Sequence, residues 1–165
     1  MRALIPPLAA LAWVAMSAAL AVDAPDSRIS ELVKSAHDQI GLIRNELDRI
    51  DNDLGGASTD SRPSGGAAGG FSTRGASYSE LKRYVGTLAD IGNDVARFAS
   101  KCVDEAREVA GKFRSQTTRL RSSVSQLESS DGSMAQMTLS RMRNDLDAAE
   151  KQLTSVAAMG GSCSN

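Results

Sequence analysis

The amino-acid sequence predicts an all-α protein: an elongated, coiled-coil-like arrangement of three helices, in which a long central helix and the last helix form an antiparallel hairpin. Two observations lead to this prediction. Apolar residues recur every three or four positions in three long segments, which is the spacing of one helix face. Aromatic residues make up only 4% of the chain, whereas Ala, Leu, Ser, Arg and Asp are abundant, as in solvated helices that pack through a narrow seam.

Residues 1–21 have the composition of a secretory signal peptide. A single Arg2 precedes an uncharged Ala- and Leu-rich stretch that ends in a small-x-small cleavage site at 19–21. An uncleaved membrane anchor is the alternative, because about 20 residues can span a bilayer. Pro6-Pro7 and the absence of a basic cluster after the segment favour cleavage. We therefore expect an exported protein in the periplasm or outside the cell.

Residues 22–54 form the first predicted helix. Its apolar positions alternate spacings of four and three without interruption. The other faces carry more acidic than basic residues, and carboxylates such as Glu46 are expected to be solvated. Gly55-Gly56 ends the pattern. The stripe consists of Ile29, Val33, Ala36, Ile40, Ile43, Leu47, Ile50 and Leu54.

Residues 55–76 are rich in Gly, Ser and Ala and are predicted to be a flexible linker. Residues 77–165 then form a helical hairpin with a C-terminal tail. A capping box at Ser77 and Glu80 marks the expected start of the central helix, which continues without proline to about residue 129. Such a helix would be roughly 75–80 Å long. Interior glycines allow a bend or break in it; they are Gly86, Gly92 and Gly111.

The turn signal SSDGS at 129–133 separates the central helix from the last one, which is predicted to open with a capping box at Ser133 and Gln136. Helices joined by a tight turn run antiparallel, so facing positions here have numbers that sum to about 264. Cys102 then faces the tail that contains Cys163. In an exported protein this register predicts a disulfide between the two; an intermolecular bridge is the alternative.

The first helix is expected to fold back across the linker and cover the apolar half of the central helix between Tyr78 and Phe98. Two alternatives remain open at this point. The first helix could lie along the hairpin, or the exposed seam could pair with a second copy of the chain.

Residues able to carry chemistry are few. His37 is the only histidine and lies beside Asp38, where a solvated helix position is the simple interpretation. Met134, Met137 and Met142 could hold copper(I) through their thioethers, but without His or Cys nearby we expect the methionines to fill the core. Met142 falls on the apolar stripe of the last helix, whereas Met134 and Met137 lie near the turn. No catalytic, cofactor-binding or metal-binding residue is therefore predicted, and the protein is not expected to be an enzyme.

A basic run along the hairpin is the predicted interaction surface. An acidic protein surface is its expected partner; contact with membrane headgroups or a homo-oligomer is the alternative. Nucleic acid is not expected, because the one aromatic residue within the basic run, Phe113, belongs to the apolar stripe and none lies on the charged face. The expected function is protein–protein interaction, as a scaffold or subunit of an envelope or surface assembly. A small periplasmic sensor or ligand- or metal-binding bundle is the alternative. The basic residues are Lys112, Arg114, Arg119, Arg121, Arg141 and Arg143.

Overall fold

The computed structural model describes residues 25–56 and 70–160, and their side chains over 27–55 and 76–160. These residues form four helices: α1 (Pro25–Gly56), α2 (Gly70–Ala99), α3 (Asp104–Glu128) and α4 (Gly132–Met159). The described ranges contain no strand. The predicted all-α class is confirmed.

Each helix packs against two others, in the closed order α1, α2, α3, α4 and back to α1. Contacts between side chains show that neighbours run antiparallel. Arg49 of α1 lies 3.9 Å from Glu80 near the start of α2, whereas the Arg28 guanidinium lies 5.2 Å from the centre of the Phe98 ring near its end. The architecture is an up-down-up-down four-helix bundle.

The central helix of the sequence prediction is two helices. After Ala99 the chain makes a short turn, in which the Lys101 amide donates to the Phe98 carbonyl at 3.1 Å, and α3 then begins at Asp104. A single rod would leave half of its wide apolar stripe in water. Folding α3 back onto α2 buries both halves, and this gain does not require a glycine or proline at the break. The three-helix, elongated prediction is wrong in this respect.

Both predicted capping boxes are also wrong. Ser77 is buried inside α2, which begins seven residues earlier at Gly70. Helix α4 begins at Gly132, after an N-cap Asp131 whose side chain makes no capping hydrogen bond. Residues 55–56 and 70–76 are thus helical rather than linker, and the rest of the predicted linker, 57–69, lies outside the described residues.

Helix α1 packs against α2, as predicted, and also against α4. The fold-back and the contact with the hairpin, which the sequence left as alternatives, therefore occur together. Seven of the eight stripe residues of α1 are buried, and Leu54 is half-buried at the edge of the same core. One continuous apolar core runs through all four helices.

Candidate interaction surface

Four of the six residues predicted to form the basic surface lie on α3 and two lie on α4. Between Glu108 and Glu128, α3 carries four basic residues and no acidic one. All of the six except Arg143 are exposed. The structure thus places a positively charged outer face on α3, the helix diagonally opposite α1.

Arg143 does not belong to this free surface. Its guanidinium lies 2.8 Å from an Asp48 oxygen and 3.0 Å from an Asp51 oxygen, across the seam between α4 and α1. The hydrogen bond to Asp48, followed by that to Asp51, raises the pKa of Arg143. This residue joins α4 to α1, so fewer of its donors are left for a partner, and its place in an interaction surface stays a prediction.

Lys112 is partly engaged as well, since its ammonium lies 2.6 Å from the carboxylate of Glu108 one turn earlier. Both side chains are more than half exposed, so the pair is screened by water and weak. By contrast, no described acidic side chain lies within 4 Å of the other four members: Arg114, Arg119, Arg121 and Arg141.

The basic residues of α3 point to two different sides. The Cα of Arg114 lies 3.5 Å from the Cβ position of Gly92, so this residue is on the side of α2. Arg121 follows seven residues later and shares that side. Arg119 is five residues after Arg114, about 140° further around the helix, which places it on the side of α4.

On α4, two exposed methionines and Arg141 share one face at positions i, i+3 and i+7. Met134 is 53% exposed and Met137 is 62% exposed. Because Arg143 contacts α1 and lies about 200° around the helix from Arg141, this face is turned away from α1, toward the side of α3. The expectation that the methionines fill the core is confirmed for the buried Met142 and wrong for Met134 and Met137.

A second polar cluster lies between α1 and α2. Glu46 is buried, with 7% of its surface exposed; its Oε1 lies 3.0 Å from the Arg49 guanidinium, while its Oε2 has no hydrogen-bond partner. Burial, outweighing the attraction of Arg49 and reinforced by the negative charge of Glu80, raises the pKa of Glu46. Glu46 was expected on a solvated acidic face, and its position one residue before the stripe member Leu47 is the sequence feature that indicates burial.

Next to this cluster is a cavity of about 300 Å³, lined by Arg49, Asp53, Ala76 and Ser77. Its walls are charged and polar at three of these four positions. The cavity is shallow enough to be reached from solvent, since Arg49 is exposed.

His37 lies on the seam between α1 and α4, where its Nδ1 is 3.6 Å from an oxygen of Glu150. That carboxylate is already engaged by Arg44, which lies 2.7 Å from both Glu150 and Asp147. The hydrogen bond to Glu150, ahead of that to Asp147, raises the pKa of Arg44. His37 is thus at the edge of an ion-pair network that joins two helices.

Within the ranges described, no three histidine, cysteine or acidic side chains come together in a way that could hold a metal ion. No helix in those ranges is long and apolar enough to cross a membrane. The assignment of the protein as non-enzymatic stays a prediction.

Cys102 lies in the connection between α2 and α3, not in the middle of a helix, and it is buried. The described part of the chain contains no free cysteine. Its predicted partner, Cys163, and the predicted signal peptide at 1–21 lie outside the described residues. The disulfide pairing therefore stays a prediction.

Comparison with known proteins gives no assignment. No protein family, curated protein or solved structure shows significant similarity to this chain.

Proposed function

We propose that this is an exported, non-enzymatic helical protein that acts by binding other proteins, as a scaffold or as a subunit of an envelope or surface assembly. The observation that carries the proposal is the presence of four exposed arginines on α3 and α4 without a described acidic partner: Arg114, Arg119, Arg121 and Arg141. The seam between α1 and α4 is different, because Arg44 and Arg143 there pair with acidic residues on the facing helix.

This contrast supports a role for the free arginines outside the bundle. Because the core is continuous and apolar, most polar side chains that could bind a partner lie on the outer faces of the helices. Arginine is enriched in protein interfaces because its planar guanidinium binds carboxylates through two hydrogen bonds. An acidic protein surface is the partner that this chemistry would recognise.

Site-specific photo-crosslinking in the native host tests the proposal. A photoreactive amino acid is introduced singly at three exposed positions on different helices: Lys34 on α1, Thr87 on α2 and Gln126 on α3. We expect a discrete protein adduct from at least one position, seen as a band of defined mass and identified by mass spectrometry. The absence of an adduct at all three positions would contradict the proposal, and an adduct of twice the chain mass would identify a homo-oligomer.

A sensor or ligand-binding role is the second candidate, favoured by one observation. The cavity lined by Arg49 and Asp53 adjoins Glu46, whose Oε2 is buried without a partner. A small cationic ligand could satisfy that oxygen. Thermal unfolding with a panel of amines and metal ions tests this role: a rise in Tm that is lost in Glu46→Gln but kept in Glu31→Gln would favour the sensor.

A further inference from the structure

We propose that four residues at the α3–α4 end of the bundle bind a helix of a partner protein that presents acidic side chains beside apolar ones. The residues are Arg119, Met134, Met137 and Arg141, here called the Met–Arg surface. The inference rests on the proposed function and deepens it by naming one surface and one class of partner.

The first step is the position of the two arginines. Helices α3 and α4 are joined by the short turn at 129–131 and pack against each other. Because α3 ends at Glu128 and α4 begins at Gly132, positions whose numbers sum to about 260, rather than the predicted 264, lie at the same level along the axis. Arg119 and Arg141 satisfy that rule and lie on the facing sides of their helices. Two guanidinium groups are therefore available at one level, one from each helix.

The second step is their charge state and freedom. Both side chains are exposed, and no described carboxylate lies within 4 Å of either. Asp145 lies one turn after Arg141 on α4, but the two side chains do not form an ion pair. An incoming carboxylate would thus meet two guanidinium groups that are not already neutralised, a geometry suited to bidentate hydrogen bonds.

The third step is the apolar part of the surface. Met137 and Met134 lie one and two turns closer to the α3–α4 turn than Arg141, on the same face of α4. They are the most exposed large apolar side chains among the described residues. Methionine adapts its shape to different apolar partners, and exposed methionines occur on surfaces that bind amphipathic helices.

Charge and composition favour a protein as the occupant over the other choices. A membrane surface is typically met by Trp, Phe or Leu together with Lys and Arg, and no aromatic residue accompanies these methionines. Segments of this chain outside the described residues offer little complementary charge, because 1–24 and 57–69 each contain one acidic and one basic residue and 161–165 contains neither.

The binding experiment uses the purified chain and a fluorescent synthetic helix that carries Leu and Glu at i, i+3 and i+4 spacing. A matched peptide with Gln in place of Glu is the control probe. We expect fluorescence anisotropy to show saturable binding of the Glu peptide, weakened at least about tenfold by Arg119→Glu/Arg141→Glu. Met134→Ser/Met137→Ser is expected to weaken binding several-fold.

The control variant is Lys82→Glu/Lys101→Glu, which makes the same change in net charge at exposed positions elsewhere on the bundle. It should change the affinity less than about twofold, and thermal unfolding should show that all variants fold. Equal weakening by both double variants, or no binding of the Glu peptide by the wild-type chain, would overturn the proposal.

Two further outcomes separate this inference from the proposed function. Arginine-dependent binding to phosphatidylglycerol vesicles, without binding of the Glu peptide, would assign the surface to a membrane and overturn the inference. A photo-crosslinked partner at Lys34 or Thr87, with none at Gln126, would leave the proposed function standing and remove the Met–Arg surface from it.

Discussion

The Cβ position of Gly92 in α2 lies 2.7 Å from Oγ1 of Thr117 in α3, closer than any side-chain carbon can approach an oxygen without displacement. Gly92 and Thr117 are both buried, and the Thr117 hydroxyl donates a hydrogen bond to the Arg114 carbonyl at 2.9 Å. The glycine therefore sets how closely α2 and α3 pack.

Gly92→Ala should destabilise the bundle by about 1–3 kcal/mol, because the new methyl group overpacks the seam. Gly86→Ala and Gly111→Ala are matched controls within helices, since nothing lies within 4 Å of their Cβ positions. These two should be neutral or stabilising by up to about 1 kcal/mol. Chemical denaturation measures all three variants.

The double variant Gly92→Ala/Thr117→Ala checks the cause. Removing the Thr117 hydroxyl makes room for the new methyl group, so the loss should be smaller than the sum of the two single losses. Additive losses would show that the contact with Thr117 does not explain the effect.

Glu46→Gln should stabilise the folded chain at pH 7 by about 1 kcal/mol, because an ionised, buried oxygen without a partner is removed. The pKa of Glu46 is raised above its usual value of 4.5, so the folded state binds the proton more tightly than the unfolded state. The free energy of unfolding contributed by wild-type Glu46 therefore rises as the pH falls through the folded pKa. The advantage of the variant should shrink between pH 7 and about pH 4.

Thermal unfolding across that pH range provides the measurement. Glu31→Gln, an exposed substitution on the same helix, is the control and should show no pH-dependent difference from wild type. An advantage of Glu46→Gln that stayed constant with pH would contradict the role assigned to burial of the charge.

A disulfide between Cys102 and Cys163 should appear by intact mass as a difference of two protons between oxidised and reduced monomer. The two Cα atoms should then lie within about 7 Å. The closed loop spans about sixty residues, for which chain entropy gives on the order of 4 kcal/mol, although engineered bridges often contribute less. The bridge would tie the segment after α4, which contains Cys163, to Cys102 in the α2–α3 connection. Reduction should therefore loosen the end of α4 first.

Hydrogen exchange before and after reduction locates the effect. Amides near Met159 should exchange faster after reduction, while those around Leu139 and Leu146, near the α3–α4 turn, should keep their protection. Free thiols in oxidised, exported protein, or a cysteine-linked dimer, would rule out the intramolecular bridge.

His37→Ala should change the stability by less than about 0.5 kcal/mol, because its side chain is 40% exposed and its contact with Glu150 is 3.6 Å long. Arg44→Ala on the same seam should cost more, since Arg44 lies 2.7 Å from two carboxylates. Loss of a measured catalytic activity in His37→Ala would contradict the non-enzymatic assignment.

The apolar periodicity of α1 was sufficient to predict its buried face. The same signal failed at Ser100–Val103, because this stretch contains no glycine or proline and Val103 is a poor N-cap. The break between α2 and α3 is stabilised because it lets the apolar stripes of the two helices bury each other. This is a property of the tertiary structure, and no residue at 100–103 indicates it. Gly92 was suspected as a break, but it serves as a contact between helices.

The positive charge of the candidate surface was predictable from the sequence, but the contacts of its individual residues were not. The sequence shows that the run from Lys112 to Arg121 lacks acidic residues, yet it does not show that Arg143 meets Asp48 across 95 positions. By contrast, the helical spacing does separate the buried Met142, which falls on the apolar stripe, from the exposed Met134 and Met137 near the turn. Which basic residues find an acidic partner depends on which helix lies beside α4.

The closed order of the helices brings α4 back to the start of α1, where the Cβ position of Gly160 lies 3.7 Å from a methyl carbon of Ile29. The backbone can therefore be treated as a ring. A circular permutant that joins residue 160 to residue 25 through a short peptide, and opens the chain at the exposed 129–131 turn, would keep every helix and every seam while changing the order in which they are synthesised.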